Sequence, residues 1–156
     1  MFEKTVALLK EKKLTVTFAE SCTGGLMAKS ITDVSGASNV FPGSAVTYSN
    51  PVKIKLVNVR KETIDEHTEV SYECAREMAA GAAEYFGTDI AVSATGYAGP
   101  GGGNENDPVG TVYVGVYVRG RCDAYRLYYK DKSRDEIRYA VCRFTEYMIE
   151  SEAKKL

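Results

Sequence analysis

The sequence predicts an α/β fold, a sandwich of helices around a mixed sheet with a β-hairpin late in the chain. Three observations carry this. Short stretches rich in β-branched and aromatic residues alternate early with segments of helical period. Two more such stretches flank Arg119–Gly120–Arg121 and read as a hairpin. A final amphipathic stretch then closes the chain. At 156 residues the sequence suits one domain, residues 1–156, burying about two-thirds of its unfolded surface.

Taken in order, Phe2, Val6, Leu8 and Leu9 share one face of a first helix, with Lys and Glu on the other. Residues 14–20, "LTVTFAE", read as a buried strand, and "LMAKSIT" as a helix starting near Thr23–Gly25. Residues 33–38 are turn-like, and a second strand is expected around Ser44–Tyr48. Pro51 favours a helix opening there. Ser71 is the expected N-cap of a long helix that stops at Gly87. Residues 89–95 form a third strand, followed by "GYAGPGGGNENDP", a loop with five glycines and two prolines. From Ser133 a last helix carries Ile137, Ala140, Val141, Phe144, Met148 and Ile149 on one face.

Composition narrows the function classes. Twenty basic residues against 21 acidic ones give a net charge of -1, a poor footprint for gripping nucleic acid, so no nucleic-acid partner is expected. No apolar run approaches the ~20 residues that span a bilayer, and "MFEKTVALLKEKK" reads as an amphipathic helix instead of a signal peptide. No membrane association and a cytoplasmic location are expected. The four cysteines are scattered and there is one histidine, which supports neither a zinc site nor a disulfide framework.

Two polar, glycine-rich segments each follow a predicted strand: Glu20–Gly25 and Thr95–Gly103. Ligands in open α/β sheets bind beyond the carboxyl ends of strands, so both segments are expected at one crevice. The first also opens a helix, where free N–H groups favour an anion; Thr23, Gly24 and Gly25 are the candidates for holding a phosphate or carboxylate. His67 lies in a charged stretch that reads as exposed helix end or loop, so a histidine triad is not predicted. Among the acids, Glu20 stands apart because it directly follows an apolar strand. Lysine remains as a base, since burial lowers its pKa. Lys53 is placed for this, with Tyr48 five residues earlier and hydroxyls from Ser21, Thr23, Ser38, Ser44 and Ser49 available around it.

"AESCTGG" (19–25), "VTYSNPVK" (46–53), "VS" (70–71) before "MAAGA", "TGYAGPGGG" (95–103) and "PVGTVYVGV" (108–116) together resemble the C-terminal domain of the CinA family, in order over nearly the whole chain. That domain also occurs alone as a nicotinamide-nucleotide amidase, and the chain length resembles this stand-alone form. The resemblance implies a three-layer α/β/α sandwich that hydrolyses the carboxamide of nicotinamide mononucleotide to nicotinate mononucleotide and ammonia, without metal or cofactor. Carried over by motif, it implies Ser38, Lys53 and Tyr48 as catalytic residues, with Ser21 as the second choice of nucleophile and Cys22 as the third. It places Thr23, Gly24, Gly25, Thr95, Gly96 and Arg138 in the substrate site, Arg138 toward the phosphate. "HTEVS" (67–71) departs from the family's frequent "HGAVS": Thr68 replaces a glycine and Glu69 adds a charge near the site. Asp107 stands where a lysine is common, and Pro42 and Ser44 where the family varies.

Two other functions compete: a nucleotide-binding module without turnover, and a competence- or DNA-damage-related accessory protein, the latter disfavoured by the balanced charge. The tyrosines of the hairpin region, Tyr113, Tyr117, Tyr125, Tyr128 and Tyr129, fall on both faces and suit either a subunit interface or core packing. A homo-oligomer, a dimer foremost, is the expected assembly.

Overall fold

A computed structural model describes residues 1–156. Five strands form one mixed sheet: β1 (Val16–Glu20), β2 (Ala45–Val46), β3 (Ile90–Gly96), β4 (Thr111–Val118) and β5 (Arg121–Tyr128). Their spatial order is β2-β1-β3-β4-β5. β1 runs parallel to both β2 and β3, while β3–β4 and β4–β5 are antiparallel. The two-residue connection Arg119–Gly120 has positive φ at both positions, 43° and 96°, which matches the twist of a tight hairpin.

Side chains alternate across this sheet and so define two cores. Val16, Phe18, Ile90, Val92 and Ala94 face α1 (Glu3–Lys12), α2 (Leu26–Thr32) and α6 (Arg134–Ala153), joining Phe2, Leu9, Met27, Ile31, Ile137 and Val141 in the larger cluster. Ala19 and Ala91 point the other way, onto Val57 of α3 (Asn50–Val57) and Cys74, Met78 and Ala82 of α5 (Tyr72–Phe86). The result is the three-layer α/β/α sandwich. β1 is buried at all five positions because both of its faces are covered, as expected for a parallel central strand.

Several helix signals are satisfied as written in the sequence. Ser71 Oγ accepts from Cys74 N–H at the start of α5. Ser133 and Glu136 form a reciprocal capping box on α6. Two features differ from the sequence expectation. β2 is only two residues long; beyond it the Thr47 N–H still donates to the Glu20 carbonyl of β1, while the Thr47 carbonyl accepts from Lys53 Nζ. Lys61–His67 forms a helix, α4, that the hydrophobic pattern does not announce; Thr63 in it is buried and donates to Glu77 at 2.7 Å, and His67 is its exposed last residue, as expected. Residues 37–39 make a short 3-10 turn at the end of the stretch expected to be turn-like. Most hairpin-region tyrosines pack within the chain: Tyr113 stacks edge-on against Tyr72, and Tyr125 against Phe144.

The helix that carries Lys53 is held by a very close helix–helix contact. A Cβ placed on Gly81 of α5 would lie 1.8 Å from the Val57 carbonyl oxygen of α3, so only glycine permits this approach. Gly81→Ala is therefore expected to push α3 outward, costing about 1–3 kcal/mol of stability in denaturant unfolding. It should also displace Lys53, so activity at the site below should fall along with stability. Unchanged stability would contradict this packing.

Candidate active site

β1 ends in a buried carboxylate. Glu20 is 0% exposed, and its two oxygens accept from the N–H groups of Gly25, Met27 and Ala28 at 3.0, 3.0 and 2.8 Å. These are the orphan donors at the start of α2, so Glu20 folds the intervening turn back onto the end of its own strand. Gly25 adopts φ 97° there, in the left-handed region. Ser21, first in that turn, is tied to the sheet by its N–H, which donates to the Ala94 carbonyl at 2.9 Å. The helix start that the sequence offered to a phosphate is thus already occupied by a carboxylate of the chain itself.

Lys53, one turn into α3, reaches across to this turn. Its Nζ lies 3.0 Å from Ser21 Oγ and donates to the Thr47 carbonyl at 2.8 Å. The residue is 1% exposed, and no carboxylate lies within ion-pair distance of its amine. Burial pushes its pKa below the usual lysine value; the Cys74, Glu69 and Cys22 groups around it act in the opposite direction. A neutral amine that donates to Thr47 presents its lone pair to the Ser21 hydroxyl, which is the arrangement of a nucleophile with its base.

The pair opens into a cavity of about 410 Å³, a size suited to a small ligand. Lys53 and Ser21 share this cavity with Tyr48, Thr95, Gly96, Glu69, Tyr97 and Arg134. Thr95 Oγ1 donates to the Glu69 carbonyl at 2.7 Å and so pins the "HTEV" turn to the end of β3. Thr68 in that turn has φ 68°, a conformation that favours glycine. Arg134, at the start of α6, donates to the Gly99 carbonyl at 2.6 Å and lies 3.4 Å from the Tyr48 hydroxyl. Tyr48 is 64% exposed and rims the cavity.

Of the residues singled out from sequence, the cavity gathers Ser21, Tyr48, Lys53, Thr95 and Gly96. Thr23, Gly24, Gly25 and Arg138 line a second depression instead, together with Lys29 and Tyr139. Arg138 Nε donates to the Cys22 carbonyl at 2.8 Å, bracing the turn, and Arg134 one helical turn earlier is the arginine that enters the cavity. Ser38 belongs to neither. It is exposed on the 3-10 turn beside Ser35, Gly36 and Phe41, in a depression that Lys53 does not line, whereas Ser21 is the serine beside the Lys53 amine. Burial pushes the Cys22 thiol up to about 12, which favours its neutral form over the thiolate. Arg134, Glu69 and Asn50 are polar residues of the cavity to which the sequence gave no role. The Arg134–Arg138 spacing on one helix face was the signal for the first, and the "HTEV" departure for the second.

Two outcomes follow for the turn and the pair. Glu20→Ala leaves three helix-start donors without their charged acceptor and is expected to cost at least about 2 kcal/mol in unfolding experiments, with Glu20→Gln intermediate. Serine-directed sulfonyl fluoride is expected to label Ser21 with a rate that rises with pH, because the Lys53 ammonium must lose its proton first. The midpoint should fall below 10.5, the ordinary lysine value. Lys53→Met should abolish labelling; a pH-independent rate, or labelling that survives in Lys53→Met, would contradict the assignment.

The model of the CinA C-terminal domain matches residues 1–153. A CinA-like protein of Dictyoglomus thermophilum is 51% identical over 118 residues, 76% of this chain and 29% of that protein, so the chain spans under a third of that relative's length. Among solved structures, a competence/damage inducible protein from Agrobacterium tumefaciens superposes with a TM-score of 0.92 at 37% identity, covering 95% of this chain and 90% of the other. A CinA superfamily protein from Klebsiella pneumoniae superposes at 0.94 with 29% identity, covering 99% and 96%. The mixed five-stranded sheet and the near-complete match of the family model together show that the chain belongs to the CinA C-terminal domain family.

Proposed function

We propose that the chain is a Ser–Lys amidohydrolase acting on the carboxamide of nicotinamide mononucleotide, which it converts to nicotinate mononucleotide and ammonia. The observation that carries this reading is the 3.0 Å contact between Ser21 Oγ and a lysine amine that is 1% exposed. A solvated lysine would be protonated and could not serve as a base at neutral pH. The substrate follows from the motif resemblance to nicotinamide-nucleotide amidases.

In this mechanism Ser21 Oγ attacks the carboxamide carbon while Lys53 Nζ takes its proton. The oxyanion of the tetrahedral intermediate faces the N–H of Cys22, which has no oxygen acceptor within the chain. Lys53 then returns the proton to the leaving nitrogen, the C–N bond of the intermediate breaks, and ammonia departs, leaving an ester on Ser21. Water attacks that ester with Lys53 again as base, releasing the acid and restoring the hydroxyl. Thr47 holds the amine in place throughout, through its carbonyl. Arg134 supplies a cation at the cavity for the phosphate, the role the sequence had given to Arg138. Tyr48, at the rim beside Arg134, acts in closing over the substrate and not as a proton relay. None of these steps calls for a metal or cofactor.

Ammonia release from nicotinamide mononucleotide tests the reading. Ser21→Ala and Lys53→Ala are each expected to lower kcat/KM at least about a thousandfold, while Ser38→Ala stays within about twofold of wild type. Activity that survives Ser21→Ala and collapses in Ser38→Ala would overturn the nucleophile assignment. Absence of ammonia from the wild-type protein would overturn the function.

A further inference from the structure

Glu69 is an acid with no partner. Its side chain lines the same cavity as Ser21 and Lys53, half-buried, yet its carboxylate makes no ion pair and no hydrogen bond within the chain. Only its backbone is engaged, through the bond from Thr95. Two aromatic rings, Tyr48 and Tyr97, line the same space. A carboxylate and aromatic faces together suit a planar cation that offers no N–H to donate, because such a ring is held by charge and by the negative face of an aromatic ring. An N-substituted pyridinium ring has that chemistry.

Resting on the amidase reading above, we infer that Glu69 is a specificity-determining residue that selects carboxamides on a cationic, N-substituted pyridinium ring over neutral-ring carboxamides and over the carboxylate product. The charges account for both preferences. The phosphate is common to all the ligands compared, so the ring and its substituent set the difference; the substrate presents a positive ring and a neutral amide, and of these Glu69 meets attraction alone. The product presents the same positive ring with a carboxylate attached, and the attraction to one offsets repulsion from the other. A dihydropyridine carboxamide nucleotide keeps the amide, ribose and phosphate but loses the ring charge. Glu69 therefore sets a gap between substrate and product affinity that favours release of the acid once the Ser21 ester is hydrolysed.

The test measures equilibrium binding, which is independent of turnover. Titration calorimetry on Ser21→Ala, with and without Glu69→Gln, would use nicotinamide mononucleotide, its dihydro form and nicotinate mononucleotide. Glu69→Gln is expected to weaken binding of the first on the order of tenfold, leaving the other two within about twofold. Glu69→Ala should reproduce the pattern, and a thermal melt of each variant reports folding. Equal weakening of all three ligands would make Glu69 a purely structural residue and overturn the inference, as would no change for any of them. Failure of nicotinamide mononucleotide to bind Ser21→Ala at all would overturn it too. If the wild-type protein releases no ammonia but the cation preference holds and is lost in Glu69→Gln, the amidase reading fails while the cation selectivity stands.

Discussion

The Glu20 carboxylate, enclosed at the end of β1 and bonded to three backbone N–H groups of the following helix start, is the constraint on which the site depends. Without it the segment 21–25 would be an ordinary glycine-rich turn, free to choose among several conformations. With it, the chain must leave the strand, turn sharply and begin α2 within a few residues. Ser21 is then fixed twice, by the turn and by its N–H bond to β3. A charge buried for this purpose is tolerable because each of its bonds is a charge-assisted one to an otherwise unsatisfied donor.

Lys53 uses the same principle in the opposite sense. It is enclosed without a counter-ion, so burial favours its neutral form, and the carbonyl of Thr47 holds the amine in one orientation. Enclosure comes from α5, which approaches α3 at Gly81 and covers the sheet with Cys74, Met78 and Ala82. The packing that makes the sandwich stable is also what desolvates the Lys53 amine. Stability and chemistry are therefore coupled through one helix–helix contact.

Much of the fold was legible because it depends on local pattern: strand composition, the Ser71 and Ser133 caps, and the glycine turn between β4 and β5. α4 was not, because its seven residues are mostly charged and only Thr63 is buried, leaving almost no hydrophobic period. The candidate cavity was legible at Ser21, Lys53, Tyr48, Thr95 and Gly96, which line it together and whose motifs lie at strand ends and beside a helix start. It was not legible where two residues of one type compete. Ser21 and Ser38 are both serines near turns, and only the path of α3 decides which one Lys53 meets. Arg134 and Arg138 lie one turn apart on α6, and about 6 Å of helical rise separates the arginine of the cavity from that of the neighbouring depression. The carboxylate at the start of α2 belongs to the chain itself, and nothing in sequence shows that Glu20 turns back to serve there.

The most direct test of the Ser21–Lys53 pair is to trap the covalent intermediate. Acid quench of the protein during turnover of nicotinamide mononucleotide, followed by peptide mass mapping, should find the acyl nucleotide on the peptide containing Ser21, with hydrolysis in labelled water placing the new oxygen in the released acid. An adduct on Ser38 or Cys22, or turnover with no covalent species under conditions that slow deacylation, would contradict the account.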